Sequence, residues 1–252
     1  MKPLVLTQIA VGNHWVGHIL GQTIYLDTLI SSGVAFMIVL VSGFYLKTRI
    51  TSGVPGRFQA AIEMVWTTVD DYITRMIGPF ARWVVPLVVV LFFYILVSNW
   101  LELIPTGGRL TSPTSDVNDT AALAIIVILM VHVTSIRRRG FGGYLKTNYV
   151  HPDGLPWFMY ILLVPINVIA QISYPISLAL RLFGNMFAAA LMLEIIAILP
   201  IYIGFVFNGI WKLFEGLFVD VIQAFIFALL TVIYLSMATM TEDHQATETA
   251  SS

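Results

Sequence analysis

Hydrophobic and polar positions fall along this chain in long blocks, not in the short periods of a soluble domain. Residues 28–46 form an uncharged run of 19, the length that spans a bilayer core as a helix. Lys47 and Arg49 close it. The next block is different in kind. Phe58, Ala61, Ile62, Val65, Trp66, Val69, Ile73, Met76 and Ile77 recur at helical spacing, with Glu63, Asp70, Asp71 and Arg75 between them. That pattern predicts an amphipathic helix over 57–77 lying at a membrane interface. A second uncharged run of 19 covers 83–101 and ends at Pro105. After a polar loop, a third span covers 120–136 and is closed by Arg137, Arg138 and Arg139. From Trp157 apolar sequence continues almost unbroken to Leu199, about twice the length of one upright span. It is either two short spans or one long tilted helix. Pro200 and Gly204 mark a turn, and 210–240 forms another long apolar helix before an acidic tail.

Composition agrees with the pattern. Of 252 residues, 58% are hydrophobic and 11% charged, too little polar surface for a soluble enzyme. A net charge of −1 offers no basic surface for nucleic acid, and with no cysteine there is no thiol chemistry. Residues 1–27 lack the compact apolar core of a cleaved signal. The connection 47–82 holds Lys47, Arg49, Arg57, Arg75 and Arg82, and 137–156 holds three arginines and Lys146. The opposite side has only Lys2 and Arg109. Positive residues favour the cytoplasm, so five spans place the N-terminus outside and the C-terminus inside.

Against this background one residue stands out. Arg181 lies between 155–180 and 182–193, neither of which carries a charge. A guanidinium at bilayer depth costs at least about 2.5–3.5 kcal/mol and does not deprotonate. It needs a partner. Ser177 and Asn185 flank it one turn away on nearly the same face, and Asn167 and Gln171 continue the polar stripe. For those amides and the serine, interhelical hydrogen bonding is the simpler reading. Glu194, rotated about 220° from Arg181, is a poor ion-pair partner; it is either a proton relay or a carboxylate snorkelling to the interface. Farther on stand Lys212, Glu215, Asp220 and Gln223. Lys212 and Glu215 have the spacing of a pair, and Asp220 and Gln223 share a face. A descending series Glu215, Asp220, Gln223 suits proton transfer.

Weaker signals read more simply. Asp119 or Thr120 caps the third span, while for Asp116 and Glu102 capping and interfacial snorkelling are simpler readings than lining an outer vestibule. His132, alone inside an apolar span, reads as a satisfied structural histidine rather than a relay. His14 and His18 have the spacing of a metal pair but lack further ligands. The segment 140–147 lacks the phosphate-loop pattern. Neither a metal nor a cofactor is implied.

The segment from Ser177 to Met186, Ser-Leu-Ala-Leu-Arg-Leu-Phe-Gly-Asn-Met, resembles the signature helix of subunit a of F-type ATP synthases. Three further blocks, 99–105, 113–120 and 223–236, resemble the same family in the same order. The resemblance implies an all-α integral membrane protein. It has five membrane-spanning helices plus an interfacial amphipathic helix, the last two helices long and strongly tilted. One membrane domain, 1–252, then comprises an outer segment 1–27, a first span 28–46, the interfacial helix 57–77, a hairpin 83–136, two long helices over 157–240 and a cytoplasmic tail 241–252.

In function, the resemblance implies a proton-translocating stator subunit of the inner (plasma) membrane, with no catalysis or nucleotide binding of its own. Arg181 would face the carboxylates of a ring of c subunits, with Ser177, Asn185 and Gln223 matching family positions. Peripheral-stalk b subunits would lie near 57–77. The sequence departs from the family at Ala190, where many members carry glutamate, at Gly216, where some carry an acid or histidine, and at Asn167, where an acid is common. The outer relay would then be rebuilt from Glu194, Glu215 and Asp220. Two other classes remain: an autonomous secondary transporter using Arg181 as an anion site, which predicts internal repeats that do not stand out, and a structural membrane scaffold.

Overall fold

The computed structural model describes residues 16–19, 22–49, 56–104, 112–149 and 157–239; the readings on Lys2, His14, Pro105, Arg109 and the tail 241–252 lie outside them. A short antiparallel hairpin, β1 (Val16–Ile19) and β2 (Gln22–Tyr25), pairs Val16 with Tyr25 and Ile19 with Gln22. No strand was expected there, yet Val, Ile, Thr and Tyr are the residues that favour one. Among the described residues the long elements after it are helices: α1 (Leu26–Arg49), α2 (Arg57–Met76), α3 (Val85–Trp100), α4 (Val117–Tyr149), α5 (Trp157–Ala197), α6 (Ile201–Phe214) and α7 (Asp220–Thr239).

Five stretches are long and apolar enough to cross a membrane: Leu26–Thr48, Pro79–Leu103, Val117–Arg138, Val164–Ala197 and Ile201–Ala238. The run from Trp157 is one continuous helix, and Pro165 and Pro175 do not break it; proline is tolerated where neighbouring helices compensate. A 34-residue span is about 51 Å long at 1.5 Å per residue and exceeds a core of about 30 Å, so it is long enough to cross at a tilt. The last span begins at Ile201 rather than 210. Residues 141–149, read as a connection, are helical beyond a kink at Gly140.

α3 is the centre. It packs on α1, α2 and α7, while α4 packs on α5 and α7. The core joins Ile73 of α2, Val88 and Ile95 of α3, Val127 of α4, Leu178 and Leu182 of α5, and Phe227, Val232 and Leu235 of α7, all essentially sealed from solvent. Ser135 Oγ donates to the Ala238 carbonyl at 2.9 Å and ties α4 to α7. α1 is held by a polar contact: Ser32 Oγ donates to Asp119 Oδ1 at 2.9 Å, and Tyr94 OH approaches the same oxygen at 3.4 Å. Asp119 is therefore not the cap of α4. Asp116 takes that place, its Oδ1 accepting from the Asn118 backbone at 2.8 Å. The Thr120 hydroxyl turns back to the Val117 carbonyl at 3.0 Å.

Candidate functional site

Leu178 and Leu182 point α5 into the core, and this registers everything else on the helix. Their sequence neighbours Ser177 and Arg181 consequently face outward, and both are exposed. Around them on the outward side lie Ile172, Ile176, Leu180 and Phe187, also exposed. Among the described residues no hydrogen bond or ion pair ends on Arg181. Asn185 is half-buried, and its Nδ2 is sealed without a protein partner. Glu194 is exposed. The polar stripe of α5 is thus divided: Ser177 and Arg181 look out, while Asn167 and Gln171 line a partly open cavity between helices.

A second polar group lies where α3 meets the last helices. Glu215 is 4% and Asp220 2% exposed. In α-helical geometry residues five apart stand about 140° from one another, so a regular helix would turn the two acids to largely different sides. Here the helix takes one π-turn, Glu215–Val219, whose i to i+5 bonding brings both acids to the buried side. Two contacts hold this turn. Trp100 Nε1 donates to the Gly216 carbonyl at 2.8 Å. Gly216 itself lies so close to Leu103 that a Cβ would overlap that side chain.

Hydroxyl groups then orient the amide facing the acids. Ser112 and Thr114 share a 2.6 Å hydrogen bond, and Thr114 Oγ1 donates to Asn99 Oδ1 at 2.6 Å. With its oxygen engaged, the Asn99 amide places its Nδ2 beside the Asp220 carboxyl, beyond strict hydrogen-bond geometry. Asn99 Nδ2, Asp220 Oδ1 and Gln223 Nε2 are all buried without protein partners. Lys212 does not pair with Glu215; its Nζ donates to the Glu102 carbonyl at 3.2 Å. It remains, with Glu102, within electrostatic reach of both acids.

The third feature is a cavity of about 190 Å³ between α4, α5 and α7, lined by His132, Asn167, Gln171, Tyr174 and Tyr234 among others. Tyr174 and Tyr234 stack across it with ring centres 4.9 Å apart. Among the described residues no group of three or more His, Cys, Asp or Glu could hold a metal.

Of the residues singled out from sequence, Glu215, Asp220 and Gln223 share one buried region, Asn167 and Gln171 share another, and Ser177 and Arg181 share the outward face. Asn99, Trp100, Ser112 and Thr114 were not singled out as site residues. A polar pair, Ser98–Asn99, inside the apolar run 83–101 was the available signal.

These features define a class: a polytopic helical membrane protein that commits carboxylates to its interior and an unpaired arginine to one outward helix face. Residues 29–236 match the ATP synthase A chain family. The chain is 40% identical over 251 residues to ATP synthase subunit a of Acidothermus cellulolyticus, covering 98% of this chain and 89% of the relative. It is 41% identical to that of Mycobacterium marinum, covering 96% and 99%, and 34% identical to ATP synthase subunit a 2 of Vibrio campbellii, covering 95% and 94%. The chain belongs to the ATP synthase subunit a family. It is a multi-pass membrane subunit of a rotary ATP synthase, serves proton transport and has no catalytic chemistry of its own.

Proposed function

We propose that this subunit forms two offset half-channels against a ring of c subunits, with Arg181 as the gate between them. The observation that carries the reading is the outward, unpaired Arg181 on an apolar helix face. A guanidinium so placed calls for an anionic partner on another chain. A ring carboxylate satisfies that need and, when protonated, can leave it for lipid.

Protons enter from outside through the buried group of Glu215, Asp220 and Gln223, with Asn99 as an amide contact. Unpartnered buried polar atoms there are the kind that ordered water satisfies. A ring carboxylate is neutralised, rotates through lipid, and loses its proton on the cytoplasmic side, where Asn167 and Gln171 line a cavity. The ionised carboxylate is then drawn to Arg181, whose fixed charge also blocks direct passage between the cavities. Each crossing releases about 2.3 kcal/mol per 100 mV. In this reading the N-terminus is outside, the C-terminus is cytoplasmic, and the chain sits in the cell inner (plasma) membrane. α2 lies at the cytoplasmic interface with Phe58, Met64 and Trp66 exposed, near the peripheral-stalk b subunits.

The test is ATP-driven proton pumping by the purified complex in liposomes, with assembly checked by pull-down. Arg181→Ala is expected to abolish coupled pumping while the complex stays assembled. Undiminished pumping by an assembled Arg181→Ala complex overturns the gate.

A further inference from the structure

We propose that His132 is a proton-accepting residue of the cytoplasmic half-channel, taking the proton released by the ring and handing it to solvent; this rests on the reading above. Three observations meet at this side chain. The first is its place. His132 is half-buried in α4, five residues before Arg137. It lines the cavity of about 190 Å³ together with Asn167, Gln171, Tyr174 and Tyr234. That volume accommodates several waters at about 30 Å³ each. His132 and Gln171 also line a neighbouring groove of about 550 Å³ that follows the other side of α5 past Pro175 and Ile176 to Ala179. The imidazole therefore borders a cavity on the side of α5 that carries Arg181 two turns beyond Tyr174.

The second is its hydrogen bond. His132 Nδ1 lies 3.1 Å from Tyr144 OH. On a straight helix residues 12 apart would be about 18 Å apart along the axis. The contact exists because Gly140 has φ 71°, a left-handed backbone that glycine adopts without Cβ strain, which folds the chain back. A phenol hydroxyl donates or accepts. It donates to Nδ1 of the neutral ring and accepts from Nδ1–H of the imidazolium, so the contact persists in both protonation states.

The third is charge. Among the described residues the titratable groups facing His132 are Tyr144 of α4, Tyr174 of α5 and Tyr234 of α7, and no carboxylate or cation lines the cavity. Arg137 and Arg138 are turned away onto the rings of Trp83 and Phe80, at 4.5 and 4.8 Å. Among the described lining residues His132 is thus the one whose ordinary titration falls near neutral pH. In the transfer, the O–H bond of a ring carboxylic acid breaks, directly or through water, and leaves a carboxylate. The imidazole nitrogen lone pair forms the new N–H bond. Loss of that proton to cytoplasmic water restores the neutral ring.

The experiment uses the whole ATP synthase in liposomes, driven to synthesise ATP by an imposed proton gradient, with Arg181→Ala in parallel. Synthesis by His132→Gln and His132→Ala is expressed relative to wild type while pH on the catalytic side is varied between about 5 and 8. The expected result is loss of at least about tenfold in an assembled His132→Gln complex, most pronounced where imidazole titrates, and recovery of His132→Ala by added imidazole. Overturning results are wild-type synthesis by both variants, or an equal loss at every pH without imidazole rescue, which marks a packing role. If Arg181→Ala stays coupled, the gate fails as well; if it is uncoupled and the His132 variants are normal, this inference alone fails.

Discussion

Arg181 and Asp220 are opposite solutions to placing a charged residue among apolar ones. The arginine is turned outward, away from its own chain, and the acid is 2% exposed inside it. Among the carboxylates this difference ranks their roles. Asp220→Asn and Glu215→Gln, close in shape to the native residues, are expected to lower ATP-driven pumping by an order of magnitude or more, by analogy with the loss of a proton-transfer group. Glu194→Gln, on an exposed side chain outside the buried group, is expected to leave pumping within about twofold. Proton flux in liposomes at matched assembly decides between them. A Glu194→Gln defect as large as that of Asp220→Asn would return Glu194 to the relay. Arg181 was legible in the sequence because a charge inside an apolar run is visible without tertiary structure. The orientation of Asn99 was not, since it depends on Thr114 and Ser112 arriving from the following loop.

At the scale of elements, the spans could be read from length and polarity alone, because a membrane imposes both on every crossing segment. The continuity of α5 through Pro165 and Pro175 was left open by the pattern and decided in favour of the resemblance. The π-turn at Glu215–Val219 could not be read: periodicity assumes one residue spacing throughout, and this turn departs from it. Its importance is testable through Gly216. Gly216→Ala drives a Cβ into Leu103, an overpacking worth about 1–3 kcal/mol, and is expected to shift the turn and reduce pumping. Leu103→Ala in the same chain opens the space and should restore much of the loss. Trp100→Phe removes the hydrogen bond to the Gly216 carbonyl, costing about 0.5–1.5 kcal/mol, and is expected to give a milder defect in pumping. Equal defects in Gly216→Ala with and without Leu103→Ala would show that the close approach is not what matters.

For the whole molecule, the most distinctive property is asymmetry of cover. α3 packs on α1, α2 and α7, whereas α5 and α6 present Ile169, Ile176, Leu180, Ile203, Phe207 and Ile210 to the surroundings. Lipid alone accounts for the apolar residues but not for Arg181 among them. A second protein surface accounts for both, and it must follow the outward face of α5 rather than surround the bundle. The chain contains no cysteine, so a single introduced thiol is an unambiguous probe of that face. In the assembled synthase, with one cysteine also placed near the ring carboxylate, Ser177→Cys and Gly184→Cys, both at exposed positions, are expected to form disulfides with the ring subunit. Leu178→Cys, one residue from Ser177 but buried in the core, is expected to form none, as is Val133→Cys on the exposed side of α4. The pattern is demanding because neighbours in sequence must differ while positions a turn or two apart must agree. Cross-linking at Val133 but not at Ser177 would move the ring to the other side of the bundle and leave Arg181 in need of a different partner.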